Sequence, residues 1–281
     1  MTTFVKLKNA SVSYPLFMSS AQRSVLAKTA KILSFGSVGS KQDGSQYVNA
    51  ITNLTMSLSE GARVGLIGRN GSGKSTLLKL LAGVNQPTKG TREASGSVGT
   101  MLSTSAGLGG EKTGRQNIQL MGQVFGMSPG DIQEMILDVE DFTQLGQFFD
   151  LPVMSYSAGM QVRLAFALAT SLPGDMLFID EALGAGDGQF LARAAERLRL
   201  RVEKAKVLVI ATHSVGDLER FCDLAVWLDR GRIVDAGDPL DIWSKYSQAS
   251  EAPAPARNLN VVWPSQEGGL KPSWLEAGLA S

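Results

Sequence analysis

The sequence predicts an α/β protein built on a largely parallel sheet, and three observations point that way. Three short apolar runs, RVGLIG at 63–68, MLFID at 176–180 and KVLVIAT at 206–212, show no polar alternation, the pattern of strands buried on both faces. Segments with helical periodicity follow them, TLLKLLAG directly after the glycine-rich turn at 68–75 and a charged amphipathic stretch over 188–205. The chain has 281 residues, 43% hydrophobic and 19% charged, enough for one large α/β domain or two smaller ones and too apolar for wholesale disorder.

The elements can be justified in order. Residues 3–14 alternate well enough for a strand, and a polar insertion runs from about 16 to 46. Inside it Val25, Leu26, Thr29, Ile32 and Leu33 share one helical face, while 35–46 is loop-like. Strand signals return at 47–58, and Ser59-Glu60-Gly61 forms a turn into the first apolar run. Residues 98–110 are rich in glycine and serine. Ile132, Met135, Ile136, Val139 and Phe142 predict a helix over 131–142, and a second is expected over about 159–171. AVWLDRGRIVDAG at 225–237 is a hairpin turning at Arg230-Gly231. The helix from Pro239 to Tyr246 is expected to be the last folded element. SEAPAPAR then serves as a linker to a short, mostly disordered tail carrying Trp263 and Trp274.

Composition excludes several classes. Lys plus Arg number 27 against 26 acidic residues, a net charge of +1, so no global electrostatic footprint for nucleic acid is present. The basic run Arg193, Arg197, Arg199, Arg201, Lys204 and Lys206 is interspersed with Glu196 and Glu203 and reads as a solvated helix face. The single cysteine, Cys222, rules out an intrachain disulfide and a cysteine zinc site, and its apolar surroundings suggest an inert buried thiol. MTTFVKLKNA lacks the apolar core of a secretory signal, and no run of ~20 apolar residues is present, so any membrane role is expected to be peripheral.

The chemistry concentrates in four motifs. GRNGSGKS, Gly68 to Ser75, satisfies G-x-x-x-x-G-K-[ST] between a strand and a helix. There Gly68, Asn70, Gly71, Ser72 and Gly73 let backbone N–H groups turn inward around phosphate, and the helix start at Ser75 and Thr76 adds its partial positive charge. Lys74 can reach the outer phosphates, and the Ser75 hydroxyl can ligate Mg²⁺. MLFIDE delivers Asp180 to the carboxyl end of a strand to hold Mg²⁺, with Glu181 next to it to polarise an attacking water. YSAGMQVRLAFALA begins at Tyr156, with a Ser-x-Gly at a helix start suited to an anion. ATHS places His213, the only histidine, directly after a buried strand.

The third motif resembles the signature sequence of ATP-binding cassette (ABC) ATPases, usually LSGGQ, with Tyr156-Ser157-Ala158-Gly159-Met160 in its place. The YS-x-GM form followed by RLAFALA is similar to ATP-binding subunits of bacterial exporters of O-antigen, capsule and teichoic acid. LPVMSYSAGM, DEALGAGDGQF and TGRQN at 113–117 fit the same subfamily, so the resemblance covers roughly residues 3–246. It implies a P-loop NTPase of ABC type, with a mostly parallel RecA-like core sheet, an antiparallel β subdomain and an inserted helical subdomain at about 105–172. The nucleotide-binding domain would span 1–246, with the insertion at about 16–46, and 247–281 would be linker and tail.

The resemblance also implies roles. Ser157 and Gly159, with Met160, would contact the γ-phosphate of ATP on the opposite subunit. Asp187 resembles the aspartate that communicates across the dimer, and His213 resembles the switch histidine. Tyr14 is favoured over Tyr47 as the aromatic that stacks on adenine. The sensor glutamine has no counterpart: Ser103 falls near its position, and Gln116 is too far along to substitute. The insertion helix either touches the membrane partner or a lipid-linked head group, or decorates the surface.

The implied function is an ATPase that uses ATP and Mg²⁺ as a head-to-tail dimer of two copies. It would drive export of a lipid-linked polysaccharide through a separate integral-membrane permease docked around residues 100–130. It would contact the glycan only indirectly and bind no nucleic acid, at the cytoplasmic face of the bacterial inner membrane. The alternatives are an ABC ATPase for a different transported substrate and a soluble nucleotide-dependent adaptor.

Overall fold

A computed structural model describes residues 2–16, 37–40, 46–101, 108–180, 188–249 and 259–262. Its strands are β1 (Phe4–Leu16), β2 (Ser37–Ser40), β3 (Gln46–Ser59), β4 (Arg63–Ile67), β5 (Lys89–Ser95), β6 (Val98–Met101), β7 (Met176–Asp180), β8 (Val207–Ala211), β9 (Leu224–Asp229), β10 (Arg232–Gly237) and β11 (Asn260–Val262). Its helices are α1 (Lys74–Ala82), α2 (Gly114–Val124), α3 (Pro129–Thr143), α4 (Ala158–Ser171), α5 (Gly188–Lys204), α6 (Val215–Phe221) and α7 (Pro239–Gln248). The chain divides into two compact units, one formed by 1–96 with 206–281 and the other by 97–205.

The first unit contains two sheets. In one, β4 lies parallel to both β8 and β9, and β9 turns antiparallel into β10. The apolar runs behave as their composition requires: Val64, Leu66, Ile67 and all five residues of β8 are buried. The hairpin turn falls at Arg230 (φ 46°) and Gly231 (φ 73°), the two left-handed residues that a tight turn between right-twisted strands needs. The other sheet runs β11–β3–β1–β5, with β2 also on β3. Its inner face is Val5, Leu7, Ala10, Val12, Ile51, Leu54, Met56 and Leu58. Helix α1 buries Leu77, Leu78, Leu80 and Leu81 and ends at Gly83, whose φ of 81° suits only glycine readily.

The second unit pairs β6 with β7 in parallel and packs α2–α5 beside them. Phe142, Phe166 and Phe190 form its aromatic centre, with ring centroids 5.5–6.1 Å apart. The α3 face predicted from periodicity is the one buried: Ile132, Met135, Ile136, Val139 and Phe142. Arg115 on α2 holds Asp150 at 2.8 Å and Glu140 on α3 at 3.2 Å.

Three expectations change, and three elements arise where no local signal was read. Ser37–Ser40, expected as loop, is a strand, because the long β3 offers its outer edge to residues 37–40. The polar β5 and the short β6, inside the glycine- and serine-rich stretch, are held by pairing to β1 and β7 and carry no alternation of their own. Helix α2 escaped periodicity because it buries only Gly114, Asn117, Ile118 and Gly122, although its capping box of Thr113 and Gln116 is readable. The α7 helix is not the last element: β11 pairs parallel to β3 at Thr55–Ser57 and buries Val261 to 1% exposure. The basic face of α5 is only partly solvated. Arg197 pairs with Asp138, donates to Thr170 and Ser171, and lies 4.5 Å over the Phe142 ring, while Arg201 donates to the Gly174 carbonyl at 2.8 Å. Hydrogen bonds from Arg197 hold the Asp138 carboxyl below the usual carboxylate range. The predicted helix at 23–33, Ser103, both tail tryptophans and all of SEAPAPAR lie outside the described residues.

Cys222 is buried against β4, close to where a side chain on Gly65 would stand. Burial first, with Asp223 and Asp217 nearby, pushes its thiol up from 9.0 to about 12. The native protein should therefore resist alkylation by iodoacetamide at pH 8 and label fully in denaturant, read as a mass shift. A raised acid in the folded state also means that stability falls as pH rises from about 9 toward 12, since only the unfolded thiol ionises readily there.

Candidate functional site

The turn from β4 into α1 is built by glycine. Gly68, Gly71 and Gly73 have φ of 149°, 78° and 108°. A Cβ on Gly68 would stand 2.2 Å from the Leu228 carbonyl, and one on Gly73 2.7 Å from the Ala50 carbonyl. Among the described residues no side chain caps α1, and no acid lies in its first turn, so its leading N–H groups and its dipole suit an anion. Lys74 is 6% exposed, and its Nζ donates to the carbonyls of Gly68 at 2.7 Å and Arg69 at 3.3 Å. Ser72 Oγ is buried with no hydrogen-bond partner among the described residues, an orphan that costs about 1–3 kcal/mol unless something binds it. Asn70, Gly71 and Ser75 face solvent, and Thr76 is half-buried.

His213 leaves the same edge of this sheet. Leu66 of β4 is in register with Ala211 of β8, and the Thr212 N–H donates to the Leu66 carbonyl at 3.2 Å. The exposed His213 follows on a turn that the sequence reading missed. Thr212 Oγ1 donates to Asp217 at 2.8 Å, the Ser214 N–H donates to Thr212 Oγ1 at 3.0 Å, and Ser214 Oγ accepts the Asp217 N–H at 3.3 Å. Ser-x-x-Asp at 214–217 was the readable signal, a helix cap directly after the histidine. Tyr14 lies near the end of β1, 43% exposed, while Tyr47 is half-buried opposite Pro15.

In the second unit Asp180 ends β7, half-buried after four fully buried residues. Glu181 and Asp187 lie outside the described residues. Ser157 has a local purpose absent from the sequence reading: it is the N-cap of α4, its Oγ accepting the Met160 N–H at 3.3 Å. Among the described residues a Cβ on Gly159 would meet nothing within 4 Å, although glycine inside a helix costs about 1 kcal/mol relative to alanine. Met160 is half-buried and Ser157, Ala158 and Gly159 are exposed. Gln116 is engaged in capping α2, accepting the Thr113 N–H at 3.0 Å. Among the described residues no group of three or more His, Cys, Asp and Glu could hold a metal, and no helix is long and apolar enough to cross a membrane.

A sequence profile described as ABC transporter matches residues 51–184. The O-antigen export system ATP-binding protein RfbE of Yersinia enterocolitica is 35% identical over 235 residues, 84% of this chain and 98% of the relative. The chain belongs to the ABC transporter family. RfbB of Myxococcus xanthus, also named as an O-antigen export system ATP-binding protein, is 39% identical over 202 residues, 72% of this chain. The teichoic acids export ATP-binding protein TagH of Bacillus anthracis is 39% identical over 207 residues, 74% of this chain. The chain spans only 46% and 37% of the lengths of these last two. Among solved structures, the dimeric ATP-binding cassette MJ0796, in a post-hydrolysis state bound to ADP and Pi, superposes with a TM-score of 0.62. At 21% identity, covering 84% of this chain and 98% of that one, it establishes the ABC-type P-loop fold.

Two variants check the loop. Ser72→Ala should leave thermal stability without nucleotide equal or higher, because it removes an orphan hydroxyl. Gly73→Ala, strained in φ and against backbone, should lower unfolding free energy by about 1–3 kcal/mol in urea titration.

Proposed function

We propose that this chain is the ATPase subunit of an exporter for a lipid-linked polysaccharide or related surface glycan. The reading rests on one observation above others: a glycine turn, an uncapped helix start, a buried ammonium and an orphan hydroxyl converge on residues 68–75, the donor set that fits a triphosphate. The relatives named for O-antigen and teichoic acid export support the cargo class.

In this reading the N–H groups of Gly68, Asn70, Gly71, Ser72, Gly73, Lys74, Ser75 and Thr76 take the phosphates, and Tyr14 takes the adenine. The Ser75 hydroxyl and Asp180 carboxylate are hard oxygen donors suited to Mg²⁺, which neutralises charge across the phosphate oxygens. Glu181 accepts a proton from the water that attacks the γ-phosphorus, and the bond to the β-phosphate oxygen breaks. Lys74 and His213 balance the charge that gathers on the phosphate oxygens as this happens. Ser157, Gly159 and Met160 of a second copy complete the site, with Asp187 communicating across the pair. Gly159 supports this: among the described residues nothing lies within 4 Å of where its side chain would begin, whereas an approaching phosphate needs bare backbone. ATP binding closes the pair, and hydrolysis lets it reopen and move a separate membrane permease docked around residues 100–130. The subunit then works as a peripheral protein on the cytoplasmic face of the bacterial inner membrane.

Glu181→Gln should abolish phosphate release while trapping an ATP-bound dimer in light scattering; full turnover, or a nucleotide-loaded protomer that never pairs, overturns the reading. Gly159→Ala should leave the ATP-free chain as stable or more stable by about 0.5–1 kcal/mol, yet weaken ATP-driven dimerisation.

A further inference from the structure

The segment after α1 is bound on both sides. Toward the helix, Gly83 donates to the Leu80 carbonyl at 3.1 Å and the Asn85 N–H donates to the Lys79 carbonyl at 3.1 Å. The Arg92 guanidinium adds two bonds to the Leu81 carbonyl, at 3.1 and 2.7 Å. Toward β1, Thr88 gives both its N–H and its hydroxyl to the Ser11 carbonyl, at 2.7 and 2.9 Å. Asn85 Nδ2 donates to Tyr14 Oη at 2.7 Å.

Asn85 thus holds the end of the helix that begins at the phosphate loop with its backbone, and the exposed ring near the end of β1 with its side chain. Tyr14 stands near a strand end, 43% exposed, and the bond at its phenol oxygen anchors the far end of the ring and so sets where the ring faces. We infer that Asn85 is a positioning residue for nucleotide binding: it sets the Tyr14 ring relative to α1, and so the span between base and phosphates. The inference rests on the proposed role of Tyr14 at adenine. Asn85 touches no reacting atom.

The test measures binding of a non-hydrolysable ATP analogue and of inorganic tripolyphosphate to the full chain. Asn85→Ala and Tyr14→Phe should each weaken analogue binding about three- to tenfold, with the double variant no weaker than either. Tripolyphosphate affinity should not change, which also shows that the variants fold. Asn85→Asp, which can accept a hydrogen bond from the phenol, should restore most of the loss. If Tyr14→Ala weakens analogue binding and Asn85→Ala does not, the positioning role is overturned and the Tyr14 assignment survives. An equal loss for tripolyphosphate in Asn85→Ala overturns it as well, since the effect then lies on the phosphate loop. If Tyr14→Ala changes nothing, the adenine assignment fails and this inference with it.

Discussion

The glycine-rich loop at 68–75 is crowded by carbonyls from two strands, and the elements around it meet at that crowding. The Leu228 carbonyl of β9 stands 2.2 Å from where a side chain on Gly68 would begin, and the Ala50 carbonyl of β3 stands 2.7 Å from the same point on Gly73. Ala50 presses equally on the β9–β10 turn, 2.4 Å from a Cβ on Gly231, and that turn is tied in place by bonds from the Thr52 N–H to Gly231 and from the Gly231 N–H to Ser72. A parallel sheet, an antiparallel sheet and a hairpin therefore meet on one short loop. Its N–H groups are aimed by backbone contact, which does not relax as side chains do.

What the sequence revealed follows from where the information is local. Uninterrupted apolar runs identified β4, β7 and β8, periodicity identified α3, and Arg230-Gly231 identified a hairpin, because each signal lies within a dozen residues. The strands that escaped notice depend on distant partners. Lys-Gly-Thr-Arg-Glu-Ala-Ser has no reason to be extended until β1 stands beside it, and Ser-Val-Gly-Ser none until β3 does. For the candidate site, motif spacing singled out Lys74, Ser75 and His213. It could not show that Ser72 Oγ has no partner and Gly159 no neighbour among the described residues, or that Ser157 caps its own helix, since those depend on what the fold brings close.

The second unit shows how a charged helix face can also be core. Arg163, Arg193 and Arg197 place guanidinium groups over the Phe190 and Phe142 rings at 4.5–5.6 Å. Their aliphatic stems and planar heads close the aromatic cluster where further hydrophobic residues would otherwise be needed. The row of arginines on α5, which by composition alone looks like a wet surface, is in part a lid on Phe142.

The short β11 has a consequence for how copies of this protein behave in concentrated solution. The outer edge of β3 is occupied by β2 along Gln46–Asn49 and by β11 along Thr55–Ser57, and between them the Thr52 N–H donates to the Gly231 carbonyl at 2.9 Å and the Asn53 N–H to Ser11 Oγ at 2.9 Å. The opposite rim, β5, is studded with exposed Lys89 and Glu93. In this sheet one border is thus covered by an early and a late segment of the chain and the other guarded by charge, which leaves neighbouring molecules little template there for strand-by-strand aggregation.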